Sequence, residues 1–358
     1  ADDIPGTVHL SLKEITQSGA GAVPIRNLSR KNILPKNNKI YDVTTGYDFD
    51  YRQDNIIKNS TFFVWHDVTV GKKNIGMPTN LSASANAMIC AFWRMETTAN
   101  VTCGGISKIS SPAGGLHFVA TYGSTGGFVY LRQNINGVQA FGTKTFTACI
   151  DLEVNGNCEM DYYARMRINS SNDAALRPLI VDSENIDVIS GRHRYAITFT
   201  CPDVDSFRGT ENSQNSMEIA FRIHGAEQTL AVNVRGITVS PGSHIPHPMM
   251  SDPQKDVCDA DVMYRIAPFG IGGFTDAIGQ RRYAVDIGCL RYTAGSLSIY
   301  DMAGNSNVIS TYSLDGKRTD NVPFTLTADN VAYGSFQLLL QSSTASGMAG
   351  WYVYNAYP

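Results

Sequence analysis

Short segments of alternating residue type, each closed by Gly, Asn or Pro, follow one another along most of this chain. Tyr162-Tyr163-Ala164-Arg165-Met166-Arg167-Ile168 is one, and Met217-Glu218-Ile219-Ala220-Phe221-Arg222-Ile223 is another. Residues 230–239 alternate in the same way and end at the turn Pro241-Gly242. Ser335-Phe336-Gln337-Leu338-Leu339-Leu340 and Trp351-Tyr352-Val353-Tyr354-Asn355-Ala356-Tyr357 close the chain. A period of two with β-branched and aromatic residues is the pattern of half-buried strands. Many such strands with almost no long helix predict an all-β protein of antiparallel sandwich or jelly-roll type. The 32 glycines and 10% aromatic content suit that reading.

One stretch departs from the pattern. Residues 249–264 read as a helix, with Ser251 or Asp252 as cap and Pro253 at the first helical position. Val257, Cys258, Ala260, Val262, Met263 and Tyr264 form its apolar side. At 358 residues the chain can bury a large core and hold two or three domains. The helix divides it. Residues 1–51 are expected as an N-terminal linker, 52–245 as a jelly-roll sandwich, 246–267 as a linker with the helix, and 268–358 as a smaller β-sandwich tip.

Composition removes several classes. Net charge is −3 and charged residues make up 17%, with no basic stripe, so capture of nucleic acid through counterion release is not expected. No apolar run approaches about 18 residues, so no helical membrane span is expected. The start, Ala1-Asp2-Asp3-Ile4-Pro5-Gly6, lacks the charged and apolar regions of a signal peptide. The seven cysteines are odd in number, form no CxxC pair and mostly sit in apolar strands. They read as reduced, buried small hydrophobes, which fits folding in a cytoplasm.

Segments with chemical potential are few. Gly142-Thr143-Lys144-Thr145 lacks the upstream glycine of a phosphate loop and opens no helix. Gly123-Ser124-Thr125-Gly126-Gly127 reads as a Gly-rich hairpin loop and lacks the strand-turn-helix setting of a nucleophile elbow. Asp151, Glu153, Glu159 and Asp161 could supply the paired carboxylates of glycoside cleavage, but a solvated hairpin about Asn155-Gly156 is the expected role. His244 and His247, in His244-Ile245-Pro246-His247, are expected in a polar linker, and no metal or other cofactor is predicted. Aromatic residues in turns are the candidates for stacking on sugars: Tyr122, Phe207 and Tyr312. Trp65 and Trp93 fall in apolar contexts and are expected in the core.

Several segments, taken in order, resemble the distal part of bacteriophage tail fibres. Gly6-Thr7-Val8-His9-Leu10-Ser11 is similar to the G-x-V-x-L-S units of fibre shafts. Asn55-Ile56-Ile57-Lys58-Asn59-Ser60-Thr61-Phe62-Phe63-Val64-Trp65 resembles the N-L-L-x-N-G-x-F-x-x-W opening of phage jelly rolls, with Ser60 in place of the glycine. Residues 87–95 resemble the A-D-R-W segment, residues 128–135 the L-R-Q-x-I strand, and residues 194–202 the R-Y-x-x-T-F-x-x-P strand. The resemblance covers residues 55–358. It implies a carbohydrate-binding-module-like jelly roll leading through a helix into a terminal β domain. It also implies a non-enzymatic, homotrimeric receptor-binding protein at the tip of a virion tail fibre, assembled in the host cytoplasm. Its partners would be upstream shaft or tail proteins and a host surface polysaccharide or outer-membrane receptor, without membrane insertion. A polysaccharide-degrading tailspike and a jelly-roll structural virion or capsid protein are the alternatives.

Overall fold

The computed structural model describes residues 32–50, 55–65, 67–70, 73–110, 114–136, 141–167, 178–203, 216–247, 254, 256, 260, 264–272, 274–275, 281–286, 296–313, 315–327, 335–340 and 347–355. The fold is almost entirely β, as the alternation predicts. Among the described residues fifteen strands precede the helix: β1 (Ile40–Asp42), β2 (Asp67–Val70), β3 (Lys73–Gly76), β4 (Asn86–Cys90), β5 (Trp93–Thr97), β6 (Val101–Lys108), β7 (Leu116–Tyr122), β8 (Gly127–Asn136), β9 (Thr145–Val154), β10 (Cys158–Arg167), β11 (Leu179–Asp182), β12 (Ile186–Val188), β13 (Gly191–Thr200), β14 (Ser216–Gly225) and β15 (Thr229–Pro241). Nine follow it: β16 (Tyr264–Gly272), β17 (Phe274–Thr275), β18 (Arg281–Asp286), β19 (Ser296–Tyr300), β20 (Ile309–Tyr312), β21 (Arg318–Val322), β22 (Thr325–Thr327), β23 (Ser335–Leu340) and β24 (Gly347–Asn355).

Two antiparallel sheets make the main sandwich. One runs β1-β13-β9-β15-β7-β6. The other runs β11-β10-β14-β8-β5-β4, with β12 also on β10. Alternate side chains of each strand fill the space between them. From β9 these are Phe146, Ala148, Ile150, Leu152 and Val154, and from β10 they are Met160, Tyr162, Ala164 and Met166. Tyr162 lies 4.9 Å from Phe221 and 5.4 Å from Phe199, between ring centroids. Fully burying a side chain of this size contributes about 1.5–3 kcal/mol, so this shared core is the main stabilising element.

Successive strands mostly change sheets. Residues 123–126 join β7 in the first sheet to β8 in the second, and residues 155–157 join β9 to β10. Both were expected as hairpin turns; both are crossings between sheets instead. A hairpin reading assumes that neighbours in sequence pair. Here β9 pairs with β13 and β15, and β10 with β14, β11 and β12. The crossings gather at one end of the sandwich. Gly123 N–H donates to Asn100 O (2.8 Å), Tyr122 N–H to Gln228 O (2.9 Å) and Glu227 N–H to Gly123 O (3.1 Å).

Residues 32–50 depart from the linker expectation. β1 adds to the edge of the first sheet through β13. Leu34 and Val43 are buried with Cys149, Ala196 and Ile245 on the side of β9 and β13 turned away from the main core. The apolar residues of this segment show no period because they pack as single anchors on a ready-made sheet surface. The G-x-V-x-L-S unit and the rest of residues 1–31 lie outside the described residues.

The turn preceding Trp65 forms with Ser60 where the resembled motif has glycine. Asn59 takes the left-handed conformation (φ 50°), which Asn tolerates better than most residues. Its side chain accepts from Val64 N–H at 2.9 Å and donates to Ala91 O at 2.9 Å. The Trp93 indole is fully buried and donates to Asn59 O (3.0 Å). Trp65 is half-buried and packs against the core.

In the join, Gln254, Asp256 and Ala260 are helical. Ala260 is buried against Val64 and Ala91. The expected helix ends early: Tyr264 begins β16, inside the span read as linker, and pairs with Asn355. Beyond it lie an antiparallel sheet β16-β24-β20-β21, with β19 also on β24, and a second sheet β17-β18-β23-β22. Met77 and Met88 meet Val353 and Tyr300 in a small cluster that ties the two regions together. The described cysteines, Cys90, Cys103, Cys149, Cys158 and Cys201, are free and buried; Cys258 and Cys289 lie outside the described residues.

Candidate functional site

The two outer faces of the main sandwich differ. On the first sheet, residues 32–50 and 243–247 cover the middle. Under that cover Asp151 is fully buried, hydrogen-bonded by Arg192 Nε and Nη2 (both 2.8 Å) and Arg194 Nε (3.1 Å). This is a structural ion group beneath a strap.

The second sheet turns a row of aromatic and charged side chains outward. With the apolar alternates of β8, β10 and β14 in the core, the remaining positions point away from it. They are Phe128, Tyr130 and Arg132 on β8, Glu159, Asp161, Tyr163, Arg165 and Arg167 on β10, and Glu218, Arg222 and His224 on β14. Strand register brings them side by side: Asp161 stands opposite Arg222 and Arg222 opposite Tyr130, while Glu159 stands opposite His224 and His224 opposite Phe128.

Arg222 organises one half of this face. Its guanidinium lies 5.2 Å from the Tyr163 ring centroid and 5.7 Å from those of Phe128 and Tyr130, within cation–π range. It pairs with Asp161 and Asp182. Burial works against its charge, but hydrogen bonds to Asp161 and Tyr130 and the charges of Asp161 and Asp182 raise its pKa above the ordinary value. His224 Nε2 meets the other Asp161 oxygen at 2.8 Å, and its ring lies 5.0 Å from that of Phe128. Beside them a depression of about 380 Å³ is lined by Gly127, Cys158, Glu159, His224, Gly225, Ala226 and Gln228. Asn185 Nδ2 donates to Glu159 at 2.6 Å. Partly exposed rings next to fixed donors and acceptors offer apolar faces for C–H groups and polar partners for hydroxyls.

The other half of the face is an arginine cluster. Glu218, 3% exposed, is met by Arg165 Nη2 at 3.0 Å, Arg132 Nη1 at 3.5 Å and Arg167 Nη1 at 3.9 Å. Arg132 also reaches Glu96 at 3.4 Å, and Arg94 stands opposite Arg132 in register.

The aromatics expected from the sequence do not form this site. Tyr122 is a core residue, 3% exposed; its hydroxyl donates to Ile223 O at 3.0 Å. A Cβ added at Gly225 would stand 2.7–2.9 Å from its ring, so the backbone is packed against its face and no sugar can stack there. Tyr312, partly exposed, ends β20 in the C-terminal region, opposite Gly347 and Arg318. Phe207 lies outside the described residues. The carboxylates separate as well: Asp151 and Glu153 belong to the first sheet's outer side, Glu159 and Asp161 to the second's. His247 is packed edge-on to Phe49 with ring centroids 5.8 Å apart, and His244 bridges to Ile33. Among the described residues, no group of three or more His, Cys, Asp or Glu side chains is placed to hold a metal.

No known protein-family model matches the chain, and no curated protein matches it. Solved structures match part of it. A carbohydrate-binding module of the β-sandwich superfamily matches at TM-score 0.30 and 13% identity, over 42% of this chain and 57% of that one. The family 11 carbohydrate-binding module of a Clostridium thermocellum cellulosomal cellulase gives TM-score 0.27 and 15% identity, over 46% of this chain and 99% of that one. The enzymatically active domain of tailspike protein 4 of bacteriophage CBA120 gives 0.28 and 15%, over 42% of this chain and 20% of that one. At these scores the likenesses carry no argument about function.

Proposed function

We propose that this chain is a non-catalytic glycan-recognition protein, and that the outer face of the second sheet is its binding surface. The observation that carries the reading is the group of partly exposed rings, Phe128, Tyr130 and Tyr163, held about Arg222 on the outside of a sandwich whose core is complete without them. Rings on a sheet exterior give a rigid platform at little cost in side-chain entropy. Asp161 is committed to Arg222 and His224, and Glu159 accepts from Asn185, which supports binding over acid–base cleavage. In the setting the sequence resemblance implies, the surface serves host recognition at the tip of a phage tail fibre, in a homotrimer joined to upstream shaft proteins and directed at a cell-surface polysaccharide.

The test is titration calorimetry against a panel of bacterial surface polysaccharides, with a reducing-end assay run in parallel. Tyr163→Ala and Tyr130→Ala should each weaken binding by about two- to tenfold, the range for loss of one stacking ring, and no new reducing ends should form. Failure of every glycan to bind, or full affinity in both variants, would sink the reading.

A further inference from the structure

The arginine cluster beside the aromatic platform is built unlike a structural salt bridge. Four guanidinium groups, from Arg94, Arg132, Arg165 and Arg167, share one patch with two carboxylates, Glu96 and Glu218. Arg94 and Arg132 stand opposite each other in register with Arg167 near, so like charges crowd together in this patch. Among the described residues Arg94 has no carboxylate within ion-pair distance. Among the described residues the buried Nε–H groups of Arg94, Arg132 and Arg165 have no hydrogen-bond partner, and Glu218 Oε2 accepts no hydrogen bond. Burial, and then the like charges of Arg132 and Arg167, lower the Arg94 pKa below its ordinary value.

Crowding like charges and leaving buried donors unmet both cost free energy. Packing does not call for it, because the apolar core lies on the other side of these strands. The cluster's side chains are only 17–23% exposed at Arg132, Arg165 and Arg167, so water screens them poorly. The row Tyr163, Ala220, Arg132, Arg94 crosses four strands in register, so the cluster continues directly from the aromatic platform. Ala220 is 1% exposed, so longer side chains lean over it. An oxyanion set above this row would meet the partly exposed guanidinium groups and offset their like charges. Planar guanidinium forks match carboxylate and phosphate geometry.

We propose that the arginine cluster takes the anionic substituent, carboxylate or phosphate, of an acidic glycan whose neighbouring ring lies on the aromatic platform. This rests on the glycan reading above and narrows its ligand to acidic polymers. The experiment is calorimetry on the full chain at 50 and 300 mM salt. The probes are an oligogalacturonate, its neutral methyl ester, and a phosphorylated oligosaccharide. One of the two anionic probes should bind, more weakly at high salt. The carboxylate and phosphate arms identify the source of the charge.

Arg94→Gln removes charge without breaking an ion pair and should weaken that binding by at least about tenfold, as for a lost charged hydrogen bond. Arg94→Lys keeps the charge but not the fork and should fall between. Unchanged melting temperatures check that the variants fold. If the methyl ester binds as well as the acid and Arg94→Gln is silent, the acidic ligand is overturned and the glycan reading stands. If no probe and no polysaccharide binds, both fall. If Arg94→Gln instead changes the oligomeric state, the cluster is a contact between copies of the chain and the proposal is overturned.

Discussion

Asp151 has no solvent exposure, yet its two carboxylate oxygens meet the guanidinium groups of Arg192 and Arg194. Burial pushes its carboxyl up; the hydrogen bonds and charges of Arg192 and Arg194 outweigh this and hold it below the ordinary carboxylate value. The sign of the linkage follows. On acidification the unfolded chain takes up a proton near pH 4, before the folded one does. The stabilisation is complete above that pH and is lost as pH falls through the folded value. Urea midpoints should therefore drop between pH 5 and pH 3, and Asp151→Asn should flatten that drop. At pH 7 the same variant should cost about 3 kcal/mol, the low end for breaking a buried pair, because both arginines can partly rehydrate. Two tyrosines show what residue type alone leaves open. Tyr122, next to a glycine turn, is buried, while Tyr163, inside an apolar-looking strand, meets Arg165 and Arg222 on the outer face. Placing stacking residues in turns fails here because strand exteriors are also surface.

At the scale of elements, the alternating strands were legible and their partners were not. Tyr162 to Arg167, Met217 to Ile223 and Leu230 to Val239 lie in strands, as their alternation predicts. The same alternation marks Tyr163, Arg165 and Arg167 as one face, and that signal could have led to the candidate site. The connections at 123–126 and 155–157 carry ordinary turn residues, and turn chemistry does not say whether the next strand pairs with the last or crosses the core. Residues 32–50 were misread for a related reason: their anchors Leu34 and Val43 have meaning only against Cys149 and Ala196, more than a hundred positions away. Deleting residues 1–50 should uncover that surface. The intact chain should show no rapidly reacting thiol among the described cysteines. The truncated chain should expose Cys149 to a thiol reagent under native conditions, with stability reduced by several kcal/mol, since each buried anchor is worth about 1.5–3 kcal/mol.

For the whole molecule, the proposed trimer has a physical motive. The C-terminal sheets are small; among the described residues β16 and β21 end one strand order and β17 and β22 the other, and exposed edges are commonly covered by assembly. Three platforms acting together could raise a weak sugar affinity by roughly 10² to 10⁴, provided that they engage one polymer. Light scattering at micromolar concentration should give three times the chain mass, and removal of residues 268–358 should give monomers; a monomeric full chain would refute the assembly. What the order of residues determined by itself is the alternation of the main strands, the all-β class and the burial of the cysteines, which the five described ones show. Side-chain direction in a strand alternates whatever its partners are, and an apolar thiol needs no partner to be buried. What tertiary structure alone decided is which face of each strand met the other sheet, and so which aromatic rings and arginines were left outside. That choice depends on pairings between strands remote in sequence, where the free energy of core burial outweighs every local preference of the turns that join them.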